Sequence, residues 1–171
     1  SLPTEPIGSI PRPDELVEGL KAYRTGDLSE TALDQMHDRA LRATISAFEE
    51  TGSPVITDGE QAKPSFLTYP IESADNLDPG GVEIPFDAGH TRQLPRLTEG
   101  PFAYEAYAVE YLERAQEHAS VPVKQAVISA SALSLLYPDE GIDGYPRDAF
   151  LDDLVDEVER DIRQCLDAGA H

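Results

Sequence analysis

Apolar and polar positions along the chain follow two periods, and the expected elements fall where each period holds. Across residues 29–52, Leu33, Met36, Ala40, Leu41, Thr44, Ile45 and Phe48 recur every three or four positions, the spacing of one helical face. Ser29 is placed to cap that helix, and Gly52 to end it as the residue after the cap. A shorter helix is expected over residues 13–23, with Pro13 in its first turn. A third helical stripe runs through Tyr104, Tyr107, Ala108, Tyr111, Leu112 and Ala115. The last helix opens at Pro146 and stops at Gly169. Its expected inner face is Phe150, Leu151, Leu154, Val155, Val158, Ile162, Cys165 and Leu166, with Asp152, Asp153, Asp156, Glu157, Glu159 and Asp161 outside.

Between the helices lie short apolar runs with strand character: residues 4–9 ("TEPIGS"), 55–57 ("VIT") and 123–129 ("VKQAVIS"). Residues 62–100 break the rhythm with frequent Pro and Gly. Within them, residues 82–86 ("VEIPF") and 91–97 ("TRQLPRL") can pair as a hairpin around Asp87, Ala88, Gly89 and His90. An excursion of this length after a strand is often functional rather than a connector. Strands alternating with helices predict an α/β fold with a parallel sheet. Three strands leave such a sheet with uncovered edges. The expectation is therefore the first part of a (β/α)8 TIM-type barrel: about three βα units, with a hairpin excursion after the second strand. Residues 1–171 then form the N-terminal portion of one barrel domain, with no separate second domain, and a fourth strand is expected after "LDAGAH".

Charge changes the picture most. Thirty-three acidic residues face 13 basic ones, a formal net charge of −20. Such a field repels nucleic acid and anionic membranes. It suits either a solvated acidic surface or adaptation to high salt, in which ions screen carboxylate repulsion. Lys21, Lys63 and Lys124 are the only lysines. No apolar run approaches the roughly 20 residues of a membrane span. Cys165 is the single cysteine, so no internal disulfide is possible and a cytoplasmic setting is the default. Its helical spacing predicts a buried structural thiol.

Candidate chemistry gathers where the strands end. In a barrel of this kind the site lies at the C-terminal ends of the strands. The second strand runs directly into Asp58, Gly59, Glu60 and Gln61. The first ends at Gly8 and Ser9, the third at Ser129, Ala130 and Ser131. Gly59 allows close approach of a ligand or a neighbouring backbone. Glu60 offers a carboxylate to an ammonium group, a metal or a proton. The alternative is that Asp58 and Glu60 only cap the loop and the segment after it.

"PIGSIPRP" and "VITDGEQ" resemble segments of the catalytic barrel of cobalamin-independent methionine synthases. That family has an Ile-Gly-Ser after its first barrel strand and a Gly-Glu after its second, here Ile7-Gly8-Ser9 and Gly59-Glu60. "TEPIGSIPRP", "IPFDAGHTRQLPRL" and "VPVKQAVISASALSLLYP" are also similar to the epoxyalkane:coenzyme M transferase branch. The resemblance implies zinc-dependent transfer of an alkyl group, a methyl in the synthases, to a thiol. Zinc lowers the pKa of the thiol and holds it as thiolate. It further implies a substrate pocket lined by Ile7, Gly8, Ser9, Gly59, Glu60 and Ser129, with Glu60 taking the ammonium of homocysteine. The partners implied are a small-molecule thiol, a methyl donor (folate or corrinoid protein) and the missing C-terminal barrel half, in the same chain or a second one.

The family's zinc ligands are a His-x-Cys pair, an acidic residue or equivalent, and a later Cys, all in the second half of the barrel. No His-x-Cys occurs here, and the histidines are His37, His90, His118 and His171. The resemblance therefore implies a zinc enzyme whose metal ligands and catalytic residues lie outside this segment. Two other readings stay open. One is thiol alkylation of the coenzyme M type, in which Arg92 and Arg96 would serve a sulfonate. The other is a non-catalytic half-barrel or binding subunit.

Overall fold

The computed structural model describes residues 4–85, 89 and 91–171. The chain divides into two compact units. One comprises Ser1–Phe66, Ala108–Ala126 and Gln164–His171; the other comprises Leu67–Tyr107 and Val127–Arg163.

The first unit opens with an extended segment and two helices, α1 (Asp14–Arg24) and α2 (Glu30–Glu50). Ser29 caps α2, its hydroxyl oxygen accepting from the Ala32 amide at 3.2 Å, as its position before the apolar stripe requires. Leu16, Leu33 and Ala40 form a buried cluster between the helices, with Leu20, Leu28 and Met36 packed on it. A third helix, α3 (Val109–Gln116), buries Leu112 and Ala115. It is tied to α2 by Arg114 donating to Asp34 at 2.7 Å and by His118 against Asp38 at 3.0 Å.

Among the described residues the three expected barrel strands do not form a hydrogen-bonded ladder; a single bridge joins the second and third. Val55 and Ile56 are buried. Ile56 and Val123 make one parallel bridge, in which the Ile56 amide donates to Pro122 and the Lys124 amide donates to Ile56. The α/β order of the chain stands, while among the described residues a closed run of barrel strands does not appear. The reason is local: residues 4–10 are held to 53–59 through side-chain hydroxyls as much as through backbone. Ser53 donates to the Thr4 carbonyl, Thr57 to the Gly8 carbonyl, and the Ile10 amide to the Gly59 carbonyl.

The second unit holds the excursion. Strand β1 (Leu77–Asp78) pairs antiparallel with β4 (Arg96–Leu97), and β2 (Glu83–Pro85) pairs antiparallel with β3 (Thr91–Gln93). The hairpin expected from "VEIPF" and "TRQLPRL" is this second pair, with Ile84 opposite Arg92. Phe86, Asp87, Ala88 and His90 of its turn lie outside the described residues. A short helix, α4 (Ala130–Leu133), and a 3-10 turn (Ser134–Leu136) fill the Ser/Ala/Leu-rich stretch.

Helix α5 (Arg147–Asp167) corrects the expected face. Phe150, Leu154, Glu157, Asp161 and Cys165 are buried, whereas Val155, Ile162 and Leu166 are exposed. The helix is rotated because two of its carboxylates have phenol partners in the second unit. Asp161 accepts from the Tyr69 hydroxyl. Glu157 accepts from the Tyr107 hydroxyl at 2.5 Å and pairs with Arg160 at 2.9 Å. Burial of a carboxylate is costly unless it is hydrogen-bonded, and these donors meet that condition. Phe150 then packs edge-on against Phe102, at 5.3 Å between centroids, and stacks on Tyr137 at the same distance. Tyr104 and Tyr107 lie ahead of α3 rather than on it. Tyr104 is buried and Tyr107 half-buried, and both owe this to the aromatic and carboxylate cluster, not to helical spacing. Among the described residues no helix is long and apolar enough to cross a membrane.

Candidate ligand-binding site

The first unit carries the polar cluster that the opening motifs foreshadow. Past the buried Val55 and Ile56, the chain continues through Thr57, Asp58, Glu60, Gln61 and Lys63, all of them buried. Five polar or charged side chains within seven residues inside a unit require partners, and the loop supplies most of them from its own backbone. Asp58 Oδ1 accepts the Glu60 amide at 3.0 Å, and Thr57 Oγ1 accepts the Gly59 amide at 3.2 Å. Gly59 and Glu60 are both left-handed, with φ of 62° and 55°. Only glycine takes that conformation freely, so Glu60 is a strained position. At Gly59 a Cβ would also lie 2.8 Å from Thr44 Cγ2 and 2.9 Å from Ile10 Cγ1, which closes the position to other side chains.

Ser9 and Glu60 meet across this loop. The Ser9 hydroxyl donates to Glu60 Oε2 at 2.7 Å. Gly8 sits over the other carboxylate oxygen, where a Cβ would come within 3.2 Å of Glu60 Oε1. A side chain at Gly8 would crowd that oxygen. The structure therefore brings together Gly8, Ser9, Gly59 and Glu60 of the motif residues. Ile7 precedes them with its side chain 94% exposed. Ser129 belongs to the second unit, where its hydroxyl oxygen caps α4 by accepting the Ala132 amide at 3.3 Å and lies 3.0 Å from Ser131 Oγ.

Three residues of the cluster had no assigned role from sequence. Arg12 donates from Nε to the Gln61 carbonyl and from Nη2 to the Glu60 carbonyl, each at 3.2 Å, and from Nη2 to the Lys63 carbonyl. Lys63, only 1% exposed, donates to the Ala126 carbonyl at 2.5 Å and stands 5.5 Å from the centroid of the Tyr111 ring. Gln61 donates from Nε2 to the Gly59 carbonyl at 3.3 Å and to the Ile10 carbonyl at 3.4 Å, while its Oε1 is buried with no partner. The available signal was Arg12 inside "IPRP", three residues after Ser9, and Lys63 as one of three lysines, three residues after Glu60. Burial pushes the Asp58 carboxyl above the usual carboxylate range, with the Glu60 amide and the Lys63 ammonium pulling it back.

Metal ligation is a separate question. Among the described residues no group of three or more His, Cys, Asp or Glu side chains is arranged to hold a metal ion. Cys165 is buried on α5. His118 is engaged by Asp38. His37 is partly buried on α2, and burial, followed by Arg114 and Arg12, lowers its pKa and favours the neutral ring. Among the described residues, the donor set does not fit a zinc site.

No family model matches the chain. The methionine synthase of Sulfurisphaera tokodaii is 34% identical to it over 68 residues, 40% of this chain and 20% of that protein. The 5-methyltetrahydropteroyltriglutamate–homocysteine methyltransferase of Saccharophagus degradans is 34% identical over 79 residues, 44% of this chain and 10% of that protein. These matches span a fifth or less of the length of the curated relatives. Among solved structures, the B12-independent methionine synthase from Shewanella sp. W3-18-1, in complex with selenomethionine, aligns with a TM-score of 0.72. It is 18% identical over 99% of this chain and 49% of its own. A putative vitamin-B12-independent methionine synthase from Listeria monocytogenes aligns at 0.68, with 21% identity over 96% of this chain and 48% of its own. The fold is that of about half of a B12-independent methionine synthase chain. At these identities the structural likeness concerns the fold alone.

Proposed function

We propose that this chain supplies the amino-acid-binding portion of a methyltransferase that transfers a methyl group to the thiol of homocysteine. The observation that carries this reading is the Ser9–Glu60 pair: a buried carboxylate, strained into place, with one oxygen taken by a hydroxyl and the other beside a glycine. Such an oxygen suits an ammonium group, because a charge-assisted hydrogen bond in a buried site is roughly twice as strong as a neutral one. The names of the sequence relatives support the same direction. The chain's own contribution is binding and orientation. Holding the amine at Glu60 fixes where the sulfur of the same molecule lies, which converts an encounter into a positioned reaction. Zinc chemistry and a methyl donor belong to a further portion of the barrel, in the same polypeptide or in a second chain. A reducing, cytoplasmic setting and adaptation to salt fit the lone cysteine and the net charge of −20.

Thiol alkylation of the coenzyme M type is the competing reading, on motif likeness. A sulfonate would meet the carboxylates of Asp58 and Glu60, and Arg12 is turned to backbone carbonyls. Calorimetric binding of homocysteine and of coenzyme M to the wild-type protein and to Glu60→Gln separates the two. Homocysteine affinity is expected to fall by about 1.5–3 kcal/mol in the variant, with coenzyme M unaffected. Unchanged homocysteine binding would remove Glu60 from the amine subsite.

A further inference from the structure

We infer that Arg12 is a positioning residue for Glu60: by clamping the carbonyls of Glu60, Gln61 and Lys63 it holds the Glu60 carboxylate against Ser9 and so sets the preference for ligands that carry an amine. The ligand half of this inference rests on the function proposed above; the clamp does not. Glu60 is a non-glycine residue at φ 55°, so its own backbone favours leaving that conformation. Both peptide groups flanking its Cα are pinned. The amide before it is held by Asp58 Oδ1 at 3.0 Å, and the carbonyl after it by Arg12 Nη2 at 3.2 Å. Releasing the carbonyl lets the residue rotate towards negative φ, which swings the side chain away from Ser9.

A guanidinium suits this task. It carries five N–H donors in a planar fork and stays charged, so one side chain spans several carbonyls at once. Lysine offers a compact ammonium on a flexible stem and cannot reproduce that planar spread. Arg12 and Ser9 also share one short segment, which the Ile10 amide ties to the Gly59 carbonyl at 3.1 Å. The segment that supplies the hydroxyl to the carboxylate thereby supplies the clamp for its backbone.

The test is a double-mutant cycle on the purified protein with Arg12→Gln, Arg12→Lys, Glu60→Gln and the combination of Arg12→Gln with Glu60→Gln. Two quantities are read. The first is the ratio of calorimetric Kd values for 4-mercaptobutanoate and homocysteine, thiols that differ only by the amine. The second is the φ-sensitive scalar coupling of Glu60 by NMR, which needs no ligand. Wild type is expected to prefer homocysteine by at least about tenfold, the size of one charge-assisted contact. Arg12→Gln is expected to lose most of that preference while binding 4-mercaptobutanoate within about twofold of wild type, and Arg12→Lys should not restore it. Adding Arg12→Gln to Glu60→Gln should cost nothing further, because Arg12 acts through Glu60. The Glu60 coupling should shift from its left-handed value in both Arg12 variants. An unshifted coupling, or additive losses in the double variant, overturns the clamp. A wild type without preference but with a coupling that shifts on losing Arg12 overturns the amine reading and upholds the clamp.

Discussion

Each unit of this protein buries a pair of carboxylates, and the two pairs are held in different ways. In the second unit, Glu157 and Asp161 sit on a regular helix and accept hydrogen bonds from Tyr107 and Tyr69. Their backbone is unstrained, and they fix how α5 is rotated. In the first unit, Asp58 and Glu60 sit on a loop with two consecutive left-handed residues. Glu60 receives one hydroxyl, from Ser9, and its second oxygen lies beside a glycine. Burial of charge is common to both pairs, so burial alone does not mark a site. Backbone strain and a carboxylate with a single hydroxyl donor are what set the loop pair apart.

The comparison can be broken most sharply at the helix. Tyr69→Phe removes the donor and leaves Asp161 buried with less compensation. It is expected to destabilise the protein by about 3 kcal/mol, since stranding a charged group costs more than the one to three of a neutral one. Urea unfolding measures this, and a loss below about 1 kcal/mol would show that Asp161 is satisfied without the phenol. The opposite sign is expected at the loop. Glu60→Gly relieves the left-handed strain and removes a buried carboxylate, so stability should rise by about 1 kcal/mol while amine-dependent ligand binding is lost. A fall in stability of that size would place Glu60 with Asp161 as a structural carboxylate.

Titration sharpens the contrast further. Burial, then the bond to Asp153, pushes the Tyr145 phenol up to about 12. Burial also raises Tyr69 and Tyr104. The folded protein therefore keeps phenol protons that the unfolded chain releases near pH 10. The unfolded state binds fewer protons above that pH, so stability should fall as pH rises from about 10 to 12. Alkaline denaturation followed by tyrosinate absorbance checks this, and Tyr145→Phe should flatten part of the slope. A pH-independent stability over that range would contradict the raised phenols. The smallest effect concerns the surface: with a net charge of −20, the melting temperature should rise from low to molar potassium chloride as repulsion is screened. A flat or falling curve would remove the high-salt reading.

Much of this was legible in the sequence wherever one signal dominated. The stripe from Leu33 to Phe48, capped by Ser29, gave α2, and the turn residues between "VEIPF" and "TRQLPRL" gave the hairpin. Cys165 is buried as its spacing implied. The placement of Ser9 beside Glu60 was legible only through the motif resemblance, because their contact spans 51 positions. The inner face of α5 was misread for a physical reason. Hydrophobicity assigns Val155 and Ile162 to the core and Glu157 and Asp161 to solvent, but tyrosine hydroxyls from distant positions reverse the order. Likewise, the tyrosine-rich helical stripe suggested an earlier start to α3. Tyr104 is instead buried and Tyr107 half-buried ahead of the helix, with Tyr104 against Phe102 and Tyr107 against Glu157. Arg12 went unassigned because its partners are backbone carbonyls, which leave no trace in side-chain identity.

The two glycines of the loop site also limit how it can change by mutation. At Gly59 any side chain meets Thr44 and Ile10, and at Gly8 it crowds the second carboxylate oxygen of Glu60. Neither position offers a route to a new ligand without rebuilding its surroundings. Of the side chains in the Ser9–Glu60 contact itself, single substitutions that retune recognition are confined to these two, a hydroxyl and a charge. Threonine at the first keeps the donor, and glutamine at the second exchanges an acceptor of cations for an amide. Divergence in ligand preference should therefore run through those two positions and the Arg12 clamp in related sequences, with both glycines left in place.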